Sequence, residues 1–442
     1  MWRGNRGFRA GKTPDRKGLH LFFIQRMFYK KSDLTEITLN MQTALSPEET
    51  PVIERAGTAD ELIKRARALA PALKERAEET QALRQPPEAT RLDVRRTGIH
   101  RLFQPARFGG ADAPFRAAVD VMRPLGQACG SSAWAIVQNI SHNSMMCRWP
   151  VQAQEDVWAD NPAALLSGIL IPNLGRARRV EGGYVLSGRW PFVSGVSLAD
   201  WAIFTAFTPG PNGEEEDRHF LVPKSDYQIL DTWYSIGLKG SASHDVAIDE
   251  VFVPEHRTTT VDKMREREAH YPGEPINMRA PLYCMFGVYI GGTALGIAEG
   301  AVNTYLEQAR SRISRASGKA VSDFPTQQVK IAEALSSIRA ARLLIYGACD
   351  QMTEILESGR LPSDAERARC RAEATFAGQL ATRAVNVVWD AAGGGAIYDR
   401  NPLSRYFCDM SAANRHITQN WDVSAISYGR TALGLSLDNP TL

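Results

Sequence analysis

Hydrophobic positions divide this chain into three zones. Over residues 58–160 apolar side chains recur three and four apart, as at Leu62, Ala66, Leu69, Leu73 and Ala77, the spacing of one buried helix face. Pro86-Pro87 interrupts that face, and 93–98 leads into Leu102-Phe103-Gln104-Pro105. A further helix near 112–128 precedes a turn at Gly130-Ser131-Ser132 and then the segment 134–143. From around 163 to 262 the pattern changes to short strands. Gly182-Gly183 sits between Val180 and Tyr184-Val185-Leu186, a hairpin signal. Runs at 200–208, 218–223, 228–233 and 244–254 follow, separated by Gly, Pro and acidic residues. This spacing predicts a compact β-barrel or sandwich.

Beyond residue 280 the helical period returns. Ile331, Leu335, Ile338, Ala341, Ile345, Cys349, Met352 and Leu356 hold one face of a long helix. Two more helices, over 363–392 and 404–428, flank Gly393-Gly394-Gly395. The order predicts an α+β protein: a helical domain over 41–160, a central β domain over 161–270 and a bundle of four long helices over 271–442. There is no βαβ alternation and no GxGxxG after a strand, which argues against a Rossmann nicotinamide site. The charge-free run 280–298 reaches membrane-spanning length, yet contains Pro281, four glycines, two tyrosines and a threonine. Its Gly287-x-x-x-Gly291 and Gly292-x-x-x-Gly296 spacings suit close helix packing, and a buried central helix is the expected outcome.

Charge changes the picture at one end. Nine of the first 31 residues are Lys or Arg against the single acid Asp15, leaving 43 basic and 48 acidic residues in the remainder. The body is mildly acidic, without a basic stripe that would mark nucleic-acid binding. Residues 1–40 suit either a transit peptide or an over-extended gene start before Met41, and the second is expected, with these residues outside the fold. Six scattered cysteines without a CxxC pair fit a reducing, cytoplasmic compartment and argue against a zinc site.

Residues 188–201 carry the most chemical information. They end a hairpin, stiffen it with Pro191 and place Trp190, Phe192 and Ser194 before the next strand. An aromatic wall beside one hydroxyl suits a flat heteroaromatic ring, with the hydroxyl bonding a ring nitrogen. The alternative is a strand end with a buried Trp.

This stretch resembles the flavin-contacting loop of flavin monooxygenases that share the acyl-CoA dehydrogenase fold. Two others extend the resemblance over residues 45–440: 231–246 running on to Val251-Phe-Val-Pro-Glu-His-Arg257, and Ala391 to Tyr398 followed by Asn401, Arg405, Asp409 and His416. Dehydrogenases of that fold need a carboxylate base. Neither place that carries it has one here: no Glu follows Glu373, and 283–290 contain no acid. The resemblance is to oxygenase components of two-component aromatic hydroxylases, such as those acting on p-hydroxyphenylacetate or phenolic seco-steroids. It implies reduced flavin (FMNH2 or FADH2) from a separate NAD(P)H:flavin reductase, O2, a flavin C4a-hydroperoxide and a small aromatic substrate. A homotetramer is also implied.

By the same resemblance Ser194 lies beside flavin N5, His416 assists oxygen activation, and His142 contacts the phenol with Ser167 as its hydroxyl partner. Trp190, Phe192, Arg279, Arg310, Arg312, Gly393, Gly394 and Gly395 are the implied cofactor contacts. Plainer roles stand beside these: a turn-capping serine, structural histidines, surface arginines and a helix-ending glycine run. His100, His219, His244, His256 and His270 are read as structural or exposed. Acyl-CoA dehydrogenation and N- or S-oxygenation are the rival activities, and a non-catalytic flavin-binding scaffold is the bland one.

Overall fold

A computed structural model describes residues 55–210, 213–265, 276–314 and 316–439. The expected N-terminal extension 1–40 and His270 lie outside the described residues.

The first helical zone comprises α1 (Ala59–Glu75), α2 (Ala77–Leu83), α3 (Glu88–Thr97), α4 (Phe115–Ala128), α5 (Gly130–Met146) and α6 (Val151–Trp158). Thr58 caps α1 in a reciprocal box with Glu61, and Leu62, Ala66, Leu69 and Leu73 form its buried face. The expected turn at Gly130-Ser131-Ser132 is instead the first turn of α5, which Cys129 caps by accepting from the Ser132 N–H. Every residue of α5 is buried, including Gln138, Asn139, Ser141, His142 and Asn143. The helix has no solvent face, so hydrophobic periodicity cannot mark it.

The strands are β1 (Leu166–Ile169), β2 (Gly175–Val180), β3 (Gly183–Val193), β4 (Trp201–Pro209), β5 (Glu215–Pro223), β6 (Gln228–Leu230), β7 (His244–Pro254) and β8 (Thr258–Thr260). They form one sheet, ordered β6-β7-β3-β2-β4-β5-β8, with β1 parallel to β4. β6 and β8 end it unpaired with each other, so it is open rather than a closed barrel. Between β2 and β4 the only register pair is Arg176 with Phe207. The halves on either side share one apolar core, with Leu186, Trp190 and Val246 meeting Phe204, Phe220 and Val222. On the other face Leu166, Ile203 and Leu221 join the core of the helices.

After α7 (Val261–Arg265) and α8 (Ile276–Arg279) come three long helices, α9 (Leu282–Ser311), α10 (Pro325–Glu357) and α11 (Asp364–Ala392). The helix expected over 404–428 is two, α12 (Pro402–Ala413) and α13 (Trp421–Ala432), so the bundle is three long helices with two short ones. The break falls at His416, whose Nδ1 accepts from the Thr418 N–H and caps a short 3-10 turn. α9 is long and apolar enough to cross a membrane, but its apolar window is wholly buried within the protein. Its Gly292 and Gly296 meet α4. A Cβ at 296 would lie 2.5 Å from the Arg123 carbonyl, and one at Gly126 would lie 2.7 Å from that of Thr293.

Candidate functional site

The site begins with an irregularity in β3. Trp190 pairs with Val246 and Val193 with His244, so three steps along β3 match two along β7. The extra residue is a bulge at Pro191-Phe192, where proline has no N–H to give the ladder. The bulge sends neighbouring side chains in opposite directions. Phe192 takes a left-handed backbone (φ 60) and stands 59% exposed, its ring edge-on to Trp233. That conformation costs a non-glycine residue about 1–3 kcal/mol. Trp190 turns inward, with no exposed surface. It packs on Phe204, donates to the Thr205 carbonyl at 2.9 Å and fills space left by Gly175 and Gly188. The expectation that Trp190 faces a cofactor is therefore corrected: its ring is core.

Ser194 follows the bulge. Its hydroxyl accepts from the Trp134 indole N–H at 3.2 Å and lies 2.7 Å from the Ser243 hydroxyl. Its carbonyl accepts from Ser167 at 2.7 Å. Gly195, at φ 74, then lets the loop settle on α5, since a Cβ there would lie 2.9 Å from the Ala135 carbonyl.

Trp134, Gln138 and His142 fall four apart on α5 and share one face. His142 Nδ1 lies 2.7 Å from the Gln138 carbonyl, which only accepts, so the ring hydrogen sits on Nδ1 and Nε2 is a bare acceptor. Burial pushes its pKa down to about 4, so this acceptor persists at neutral pH. Nε2 faces Gly168. Ser167 alternates to the other side of β1, where its hydroxyl donates to the Ser194 carbonyl rather than to His142.

His416 has the opposite tautomer. Its Nδ1 accepts from Thr418, leaving the hydrogen on Nε2 as a donor. Burial, then the nearby charges of Arg371 and His142, lower its pKa to about 4. Its ring meets Trp134 edge-on at 5.5 Å. Arg371 is buried on α11 and donates to the Tyr283 carbonyl. The Tyr283 hydroxyl lies 3.1 Å from His219 Nε2, and His219 Nδ1 lies 2.7 Å from Thr205. His219, expected to be structural or exposed, is thus buried in a polar array with Thr205 and Tyr283.

The second and third sequence stretches meet behind Ser194. Asp409 on α12 accepts from the Leu238 N–H at 2.6 Å, and burial raises its pKa to about 6. Gly237 passes so close to α12 that a Cβ would stand 1.9 Å from the Cys408 carbonyl. This anchors the loop that carries Ser241 and Ser243.

The remaining expected contacts lie elsewhere. Arg279 donates to the Leu356 carbonyl at the end of α10. Arg312 donates to the Ala392 carbonyl, beside Gly393, Gly394 and Gly395, at which a Cβ would meet nothing within 4 Å. Arg310 is exposed. The glycine run lies 18 residues along α11 from Thr375, which bonds the Thr418 carbonyl, and that is about 27 Å of helix. Trp134, Gln138, Ser243, Arg371 and Tyr283 join the site without having been singled out in the sequence. The four-residue spacing on α5 was the available signal for the first two.

The residues present fit a flavin ring: an outward aromatic, an adjoining hydroxyl and a histidine N–H without a partner among the described residues. Among those residues no cluster of His, Cys, Asp or Glu could hold a metal. The buried acid of α9, Glu299, is committed to Arg123, Arg342 and Gln127 and is not free to act as a base.

Residues 288–421 match the family model described as acyl-CoA dehydrogenase, C-terminal domain. The FADH(2)-dependent resorcinol hydroxylase oxygenase component of a Rhizobium species is 32% identical over 389 residues, 85% of this chain and 94% of that protein. A flavin-dependent monooxygenase oxygenase subunit of Rhodococcus jostii is 32% identical over 382 residues, 85% of this chain and 99% of its own length. Among solved structures, XiaF from a Streptomyces species, in complex with FADH2 and glycerol, superposes with TM-score 0.82 at 27% identity. It covers 93% of this chain and 100% of that one.

Proposed function

This chain belongs to the oxygenase components of flavin-dependent monooxygenases, and from that premise we propose that it hydroxylates a small phenolic substrate with O2 and reduced flavin. A separate NAD(P)H:flavin reductase supplies the flavin. The observation that carries the reading is one face of α5. His142 offers a bare nitrogen at one end, and the Trp134–Ser194–His416 group gathers about 12 Å along the helix.

Bound flavin supplies the electrons and the oxygen-activating ring. Phe192 would border that ring, and Ser194 would hydrogen-bond its central nitrogen. His416 Nε2–H holds a proton where negative charge develops on oxygen. His142 Nε2 accepts the substrate's phenolic hydrogen, which raises the nucleophilicity of the ring carbon that takes up oxygen. Burial of α5 keeps bulk water from these groups. Carbon hydroxylation is favoured over N- or S-oxygenation because an acceptor faces the substrate, and over dehydrogenation because neither base position holds an acid.

The same reading includes a homotetramer, which would account for the separation of about 27 Å. Arg312 and Gly393–Gly395 serve the flavin of a neighbouring copy in a homotetramer. Exposed Val329, Leu335, Leu343, Phe376 and Ile426 on α10, α11 and α13 supply the apolar contact area. Light scattering that gives a monomer at micromolar concentration would overturn the assembly. The activity is tested by mixing anaerobically reduced FAD or FMN and protein with oxygenated buffer and a panel of phenols. Hydroxylated product is expected only when reduced flavin, O2 and a phenol are all present.

A further inference from the structure

Behind Ser194 lies a row of hydroxyls that the proposed chemistry does not yet use. Ser194 and Ser243 stand 2.7 Å apart, Ser243 and Ser241 another 2.7 Å, and the last two are buried. Counting hydrogens defines what this row does. Each serine has one hydrogen and two lone pairs, and the Trp134 indole only donates. If hydrogens run from Ser241 to Ser243 to Ser194, the Ser194 hydroxyl accepts twice and its own hydrogen is free to point into the site. If they run the other way, Ser194 gives its hydrogen to Ser243 and turns a lone pair towards the site.

We infer that Ser243 is a positioning residue that lets Ser194 both donate and accept, so that one hydroxyl serves a ring nitrogen with or without a hydrogen. The inference rests on the flavin reading, because oxidised flavin presents a bare N5 and reduced flavin an N5–H. Without Ser243, Ser194 can still donate to bare N5. It can no longer accept from N5–H without leaving its own hydrogen, turned towards the buried position 243, unpaired, which costs about 1–3 kcal/mol. Ser243 therefore matters for the reduced ligand and little for the oxidised one.

The geometry of the loop supports a built arrangement. Asp409 holds Leu238, Leu238 and Ala242 both take left-handed backbone (φ 50), and the Ser241 carbonyl accepts from the Gly195 N–H at 2.9 Å. The hydroxyl row and the Ser194 loop are thus fastened to each other at two points.

The test measures dissociation constants of the full-length protein for oxidised and for anaerobically reduced flavin, without substrate or oxygen. Ser243→Ala is expected to weaken reduced flavin by about 5- to 150-fold, the equivalent of that cost, while oxidised flavin changes less than about twofold. Ser243→Thr, which keeps the hydroxyl, is expected to restore the wild-type ratio. In the ligand-free protein the Trp134 indole N–H resonance should shift in Ser243→Ala and return in Ser243→Thr. Equal weakening of both redox forms, or no weakening, overturns the inference. If Ser243→Ala does not fold, Ser243→Cys, with its weak donor and acceptor, carries the same expectation. A wild-type protein that binds neither form would instead overturn the flavin reading itself.

Discussion

His142 Nε2 stands directly over Gly168: a Cβ added at 168 would lie 2.7 Å from that nitrogen and 2.7 Å from the Ile203 carbonyl. The absence of a side chain at 168 is what leaves the bare nitrogen in place. Gly168→Ala should leave flavin affinity within about twofold and displace the imidazole, lowering hydroxylated product by about 10–100-fold. Flavin titration beside product analysis checks this, and an unchanged yield would refute the role of His142.

The two histidines should fail differently. His142→Ala is expected to spare the reaction of reduced flavin with oxygen but cut product, whereas His416→Ala should slow the oxygen reaction itself. General acid–base groups contribute roughly 10²–10⁴-fold, so stopped-flow oxidation and product yield will separate them. Matching mild defects in both would mean that the residues are structural.

Ser194→Ala removes the hydroxyl that Trp134 and Ser243 hold in place. Flavin oxidation should continue while hydrogen peroxide rises and product falls. Peroxide counted against flavin consumed reads the uncoupling directly.

Trp190 and Phe192 should divide stability and binding between them, as their exposure predicts. Trp190→Ala empties a fully buried site and should cost about 3–5 kcal/mol of stability. Phe192→Gly relieves a left-handed backbone and should leave stability unchanged or raised by about 1 kcal/mol, while weakening flavin binding. Denaturant melts and flavin titration on both variants test the pair.

Acid should destabilise the fold early. Burial holds His142 and His416 down to about 4 and His100 and His219 to about 3, against about 6.5 when unfolded. Between pH 6.5 and 4 the unfolded chain therefore takes up protons that the native one refuses, and stability falls as pH falls. Asp409, raised to about 6, acts in the opposite sense below that pH, as do Asp112, Asp217 and Glu373, which burial also raises. His244 and the ion-paired Asp156 and Glu366 act with the histidines. Melting temperature should drop from pH 7 to 4.5; a flat profile would show that these histidines are not held neutral.

Much of this was legible in the chain. The α1 face at Leu62, Ala66, Leu69 and Leu73, the buried α9 and the helix–strand–helix order follow from periodicity. Which residue faces the site did not, because that depends on single-residue offsets. The bulge at Phe192 reverses the assignment of Trp190, and strand alternation puts Gly168 rather than Ser167 against His142. α5 was misread at its start because a helix buried on all sides has no polar stripe. His219 acquires its neighbours through Tyr283, 64 residues away, which no local pattern reports.

That helix has a kinetic consequence. A segment without a solvent face can release its amide hydrogens only when the layers around it separate, so α5 should exchange with deuterium at the rate set by global unfolding. Trp134 and His142 would then ride on the slowest-opening part of the molecule, while Phe192 and the Ser194 turn lie at its edge. Ligand entry would be accommodated by the edge, and the spacing between the two ends of the site would endure for the lifetime of the folded state.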